Sequence, residues 1–277
     1  MILGNLGRMG YVNTLPVDWG VVNSPLGKLV HIIRGKPTDL NNLLATGHLD
    51  VSPVSSVAAA EHAEDWLVFD HLCIGSRGPV GSVILQADVP VERLHGMKVS
   101  ITSASATASQ LIRVLFAKYW HVDVYFVSDG ESSPARLLIG DAALKAAHSG
   151  TGFIYDLGQV WKDFTGRNFV FGVWCVTRDF VRDHPEQTRA IYHLLLTSYA
   201  MGLAHWPEVV REAVEVTGLD EHIINDYFPK LVYPFDRSLW AGLETFLDLI
   251  GFKVDRLRTY RPQEGSLQCT PLRTASV

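Results

Sequence analysis

The sequence predicts an α/β protein of two lobes with a ligand cleft between them, and three observations carry that prediction. Short apolar runs alternate with segments of helical period from the start of the chain to about residue 176, the pattern of strands and helices layered around mainly parallel sheets. Two of the runs, 81–85 and 169–176, are long, apolar and placed where the pattern restarts, so each is expected to be a crossover between lobes. The chain has 277 residues, more than the ~150 of a typical single domain. Leaving at the first crossover and returning at the second, it is expected to build lobe 1 from residues 1–81 and 177–262 and an inserted lobe 2 from 82–176. Residues 263–277, largely polar, are expected to form a flexible tail. A single doubly wound sheet is the competing reading of the same pattern.

In chain order, 6–12 predicts a strand, and Asn13 caps a helix from Thr14. A strand at 28–33 and a helix at 39–45 follow, the helix opening beside Thr38 and closed by Gly47. Next come a strand at 49–54, a helix from Ser56 capped by Ser55, and a strand at 66–74. The second series has strands at 81–85, 97–102, 122–127, 137–139, 152–155 and 168–176, with helices between them, notably 107–120 and 157–164. From Pro185 the chain turns helical. Segments 186–205, 208–217, 221–231 and 237–250 carry apolar residues at i, i+3, i+4 spacing, each a helix with one buried stripe.

Composition narrows the function. The formal charge is −5 and no run of Lys or Arg offers a cationic face to a polyanion, so nucleic acid is not an expected partner. No apolar stretch approaches the ~20 residues that span a bilayer, so no membrane partner is expected either. The start of the chain lacks the pattern of an export signal, and the three cysteines are far apart with no C-x-x-C pair; a cytoplasmic location is therefore expected. The 11 histidines form no H-E-x-x-H pair, and His121 and His193 in apolar segments are expected to be buried. There is no G-x-S-x-G elbow, no G-x-G-x-x-G behind a strand and no phosphate loop. Glu61, Glu64 and Asp65 fit a solvated face.

What remains is a set of small polar residues at strand-to-helix junctions: Asn13 after Val12, Ser55 and Ser56 after Val54, and Ser103, Ser105 and Thr107 after Thr102. Hydroxyls and free N–H groups at a helix start, together with its partial positive charge, make each junction a site for a carboxylate. Any one of them also fits an ordinary cap. Three together, at the carboxyl ends of strands, point to a small anionic ligand.

The stretches Gly7-Arg8-Met9-Gly10-Tyr11-Val12-Asn13-Thr14-Leu15-Pro16, Gly47-His48-Leu49-Asp50-Val51-Ser52-Pro53-Val54-Ser55-Ser56, Gly81-Ser82-Val83, Leu138-Ile139-Gly140-Asp141-Ala142-Ala143-Leu144 and Tyr155-Asp156-Leu157-Gly158-Gln159-Val160-Trp161 resemble those of the chorismate dehydratases, the first enzymes of the futalosine route to menaquinone. The resemblance runs from about residue 7 to 252. It implies a type II periplasmic-binding-protein-like fold and a cytoplasmic enzyme. That enzyme removes water from the dicarboxylate chorismate to give 3-[(1-carboxyvinyl)oxy]benzoate, without metal or organic cofactor. By the same resemblance, Asn13 and Ser82 are the polar pair at the reacting ring, and Ser55, Ser56, Ser105, Thr107, Ala108 and Asp141 bind substrate. Two departures stand out: Asn168-Phe169-Val170-Phe171-Gly172-Val173-Trp174 where the family has P-F-V-F-A-x-W, and Ser105-Ala106-Thr107-Ala108 where it has S-x-T-S, one hydroxyl fewer. The related 1,4-dihydroxy-6-naphthoate synthases carry S-P-C-P-N-D and a histidine in I-H-E; the corresponding places here are Tyr11-Val12-Asn13-Thr14-Leu15-Pro16 and Ile139-Gly140-Asp141. A non-catalytic binder of a small carboxylate is the alternative from a different class, since the same fold mostly serves solute binding.

Overall fold

The computed structural model describes residues 2–253 and 256–262; the expected tail at 263–277 lies outside the described residues. The first series is β1 Asn5–Met9, α1 Leu15–Asn23, β2 His31–Gly35, α2 Pro37–Ala45, β3 Val51–Ser55, α3 Ser56–Glu61 and β4 Trp66–Ser76. The second is β5 Val83–Ala87, β6 Lys98–Ile101, α4 Ala106–Leu115, β7 Tyr125–Ser128, β8 Ala135–Ile139, α5 Gly140–Ser149, β9 Phe153–Asp156 and α6 Leu157–Thr165. The chain closes with β10 Phe169–Thr177, α7 Arg178–Asp183, α8 Pro185–Ala204, α9 Trp206–Thr217, α10 Glu221–Tyr227, β11 Val232–Pro234, α11 Arg237–Leu249 and β12 Thr259–Tyr260.

These strands form two sheets, ordered β11-β4-β10-β3-β1-β2, with β12 also on β4, and β7-β6-β8-β5-β9. In the larger sheet β1 runs parallel to β2 and β3, while β10 runs antiparallel to β3 and β4. In the smaller one β6 is parallel to β7 and β8, and β5 runs antiparallel to β8 and β9. Each sheet is thus mainly parallel and crossed by one long antiparallel strand, the apolar runs singled out above, with the short β11 also antiparallel at the edge of the larger one. Both runs are buried along most of their length, which is why neither alternates in polarity. The second crossover run, expected within residues 82–176, forms β10, which pairs with β3 and β4 in the larger sheet.

Other differences have local causes. β1 stops at Met9 because Thr14 folds back on Tyr11, its N–H donating to the Tyr11 carbonyl at 3.2 Å and its Oγ1 at 3.1 Å, which closes a 3-10 turn over Val12–Thr14. β2 starts at His31, since Pro25 opens a 3-10 turn capped by Ser24. Lys36, not Thr38, precedes α2, whose first residue is Pro37; proline at that position has no N–H to cap. Two short strands, β11 and β12, lie in the part read as all helical, and both add to β4. His121 and His193 are exposed, His121 at a left-handed φ of 54° behind the π-turn Phe116–Trp120. Among the described residues no helix is long and apolar enough to cross a membrane.

One contact matters for the site because it seats α1 against α8. Ser198 of α8 donates to the Val17 carbonyl and accepts from Val21 N–H at 2.8 Å, and α1 lies so close that a Cβ on Gly20 would stand 2.7 Å from Ser198 Cα. Gly202 faces the Pro16 carbonyl just as tightly. Gly202→Ala is therefore expected to push the helices apart and to lower unfolding free energy by about 1–3 kcal/mol, measured by urea denaturation.

Candidate functional site

The carboxyl ends of β1, β2 and β3 in one sheet and of β6 and β8 in the other lead into the walls of a single cavity of about 150 Å³. At ~10–15 Å³ per water position, that holds roughly ten waters or one small organic ligand. Five chain segments that begin helices contribute to it: the Tyr11–Asn13 turn before α1, Thr38 and Asn41 on α2, Ser55 before α3, Ser103–Ala106 at the start of α4, and Gly140 and Asp141 at the start of α5. Ile74, Val80, Val83, Phe171 and Leu231 supply apolar wall.

No Lys, Arg or His is among the lining residues; Asp141 is the one carboxyl. Burial raises its pKa above the usual carboxylate range, partly offset by Lys145, and Asp141 in turn adds to the effect of burial in raising the Tyr11 phenol. An anion here is therefore met by helix-start dipoles rather than by a cationic side chain among the lining residues. Ser55 Oγ accepts from Ala58 N–H and Ser105 Oγ from Ala108 N–H, each at 3.2 Å. Both hydroxyls cap their helices and still have a proton to donate.

Asn13 and Ser82 meet on this cavity. Asn13 is not a cap: it sits inside the 3-10 turn, and its buried Oδ1 has no partner among the described residues. Its backbone is held from behind by Tyr233, whose hydroxyl donates to the Asn13 carbonyl at 2.9 Å. Ser82 arrives by the β4–β5 crossover, which turns at Gly81 with φ +76°, a conformation that a side chain disfavours. The Asp156 carboxylate pins that crossover by accepting from Val80 and Gly81 N–H at 2.6–3.0 Å, while also capping α6 through Gly158 and Gln159 N–H. Tyr227 donates to Ser82 Oγ at 3.0 Å.

Beneath the Asn13 turn, Thr14 Oγ1 donates to Asp18 at 2.7 Å, and Arg8 bridges Asp18 at 3.4 Å and Glu212 at 3.5 Å. Burial nonetheless pushes Asp18 up to about 6.

Of the residues singled out in the sequence, Asn13, Ser55, Ser82, Ser105 and Asp141 line the cavity. Ser56, Thr107 and Ala108 do not. Ser56 is fully buried and donates to the Val170 carbonyl at 2.7 Å; Thr107 is fully buried with Oγ1 accepting from Val57 N–H at 3.1 Å, tying α4 to the start of α3; Ala108 is spent on the Ser105 cap. Asn41, Tyr227 and Tyr233 were not singled out. Asn41 is another residue whose buried Oδ1 has no partner among the described residues, and it lines the same cavity.

Residues 5–251 match the sequence model of a family described as menaquinone biosynthesis. The chain is 25% identical over 243 residues to a chorismate dehydratase of Thermus thermophilus, a match covering 79% of this chain and 86% of that one. Among solved structures it resembles an Archaeoglobus fulgidus protein at a TM-score of 0.70 and 16% identity, over 89% of this chain and 96% of that one. It also resembles the periplasmic aliphatic sulphonate binding protein of Escherichia coli at a TM-score of 0.67 and 14% identity, over 98% and 96%. The fold is that of periplasmic binding proteins, two α/β lobes with the cavity between them.

Two outcomes follow from this geometry. Thr107→Val leaves the Val57 N–H without its acceptor and is expected to cost about 1–3 kcal/mol in denaturation without touching the cavity. Asp18 is an acid whose folded value, about 6, exceeds its unfolded value near 3.8, so the folded chain binds more protons between those pH values and loses stability as pH rises through that window. That rise corresponds to at most roughly 3 kcal/mol. The stability of Asp18→Asn relative to wild type should therefore climb from pH 4 to pH 6 and level off above, as followed by denaturant midpoints across pH.

Proposed function

Because the chain belongs to the menaquinone biosynthesis family, we propose that it is a chorismate dehydratase, removing water from chorismate to give 3-[(1-carboxyvinyl)oxy]benzoate on the futalosine route. The observation that carries this reading is the meeting of Asn13 and Ser82 on one cavity whose polar wall is built from helix starts and neutral donors. Chorismate has two carboxylates, a 4-hydroxyl and a hydrogen on C3, and loss of water makes its ring aromatic. The driving force lies in the substrate. The protein has to hold the carboxylates and stabilise charge as the C3 proton leaves and the C4–O bond breaks, which is positioning and electrostatics.

In this reading the starts of α3 and α4, with Ser55 and Ser105, hold carboxylate oxygens, and Asp141 faces the neutral edge of the ring. Asn13 and Ser82 hydrogen-bond the reacting part of the ring. A carboxylate of the substrate accepts the C3 proton and passes it to the departing 4-hydroxyl, which leaves as water as the C4–O bond breaks. No metal or organic cofactor takes part. The lobes of this reading are residues 2–81 with about 168–262, and 82 to about 167. The enzyme works in the cytoplasm, a reading supported by Cys73 and Cys175, which are buried thiols with no disulfide partner among the described residues.

Incubated with chorismate in EDTA and with nothing else added, the purified protein is expected to release the enolpyruvyl benzoate, detected by mass spectrometry. Asn13→Ala and Ser82→Ala should each lower kcat by about a hundredfold, as for loss of one oxyanion donor, with affinity changed less than about tenfold. Tight binding of chorismate without turnover would make the protein a carboxylate binder instead. Near-normal kcat in both variants would remove the pair from the mechanism.

A further inference from the structure

We infer that Tyr227 is a positioning residue for Ser82, fixing the serine hydroxyl as a hydrogen-bond donor toward the ligand; this rests on the chorismate reading above. Tyr227 ends α10, 145 residues away in the chain from Ser82, which opens the smaller sheet's lobe. Its side chain is 1% exposed, its ring lies nearly parallel to that of Phe228 with centroids 5.7 Å apart, and its hydroxyl reaches Ser82 Oγ at 3.0 Å.

Proton counting gives the direction. A phenol has one proton, and here it goes to Ser82 Oγ. A serine hydroxyl has one proton and two acceptor lone pairs. With one lone pair taken by Tyr227, the Ser82 proton is left, and no protein acceptor for it is found among the described residues, although Ser82 is only 5% exposed and lines the cavity. A buried hydroxyl proton without a protein acceptor is aimed at whatever fills the cavity. Burial raises the phenol pKa, the Ser82 hydrogen bond lowers it and the Asp141 charge raises it, with burial the largest effect, so Tyr227 keeps the proton that it donates to Ser82. Without the phenol, Ser82 rotates among its staggered positions and presents its proton to the ligand only part of the time.

The test is a double-mutant cycle in chorismate turnover. Tyr227→Phe should lower kcat about tenfold or more with KM within about threefold, whereas in a Ser82→Ala background the same change should alter kcat less than about twofold. Tyr192→Phe, which removes a part-buried phenol hydrogen bond to Asp70 away from the cavity, should lower the melting temperature and leave kcat unchanged. If Phe at 227 does not fold, 3-fluorotyrosine there keeps the shape and makes a stronger donor; kcat must then differ from wild type with Ser82 present and not without it. Equal losses in both backgrounds, or wild-type kcat in Tyr227→Phe, would overturn the role of Tyr227 while leaving the dehydratase reading intact. A wild-type protein that never turns over chorismate would sink that reading, and the role of Tyr227 with it.

Discussion

The Asp156 carboxylate accepts hydrogen bonds from four backbone N–H groups, two in the chain entering the smaller lobe and two at the start of α6. Bonds of this charge-assisted kind are worth about 1.5–3 kcal/mol each, more than ordinary neutral ones. Their effect is mainly geometric. They hold the left-handed Gly81 turn against α6, so that Ser82 leaves the turn in one direction and β5 enters between β8 and β9 in register. Gly158 belongs to the same arrangement, since a side chain there would run into the Gly78 carbonyl. The two lobes are joined at this knot, and the position of one half of the candidate reacting pair depends on it.

The other half is positioned by packing from behind. Asn13 stands in a turn whose carbonyl is gripped by Tyr233 and whose neighbouring Thr14 is tied to the buried Asp18, while α1 is seated on α8 through Ser198 and two glycines. Tyr227 and Tyr233 both come from the short stretch around β11. That stretch reaches the cavity directly only through Tyr227 and Leu231, yet it orients both residues of the pair.

Much of the fold could be read in the chain. The alternation of strands and helices, the two apolar runs that became β5 and β10, and the Ser55 and Ser105 caps are all local signals, and each depends on a few neighbouring residues. What could not be read depends on distant ones. Asn13 looks like a cap because Asn before an apolar helix usually is one, and only the return of Thr14 onto Tyr11 moves it into the turn. Thr107 sits at a helix start like Ser105, but its hydroxyl faces the beginning of α3, which no local pattern reveals. Tyr227 and Asn41 fall in ordinary helical periodicity, where a residue lining a cavity cannot be told from one lining the core. β11 and β12 are too short to show a period, and each exists only because β4 offers an edge.

The absence of any cationic side chain from the lining residues bears on how a ligand arrives. The chain carries a formal charge of −5, and the field of a helix start fades within about a turn, inside the ~8 Å screening length of physiological salt. For an anion such as the one proposed, the described lining residues offer no full positive charge to draw it from solution, and the dipoles of the helix starts act mainly once it is inside. Capture of this kind responds weakly to ionic strength, and differences in affinity between related anions are set by how long each stays rather than by how fast it comes.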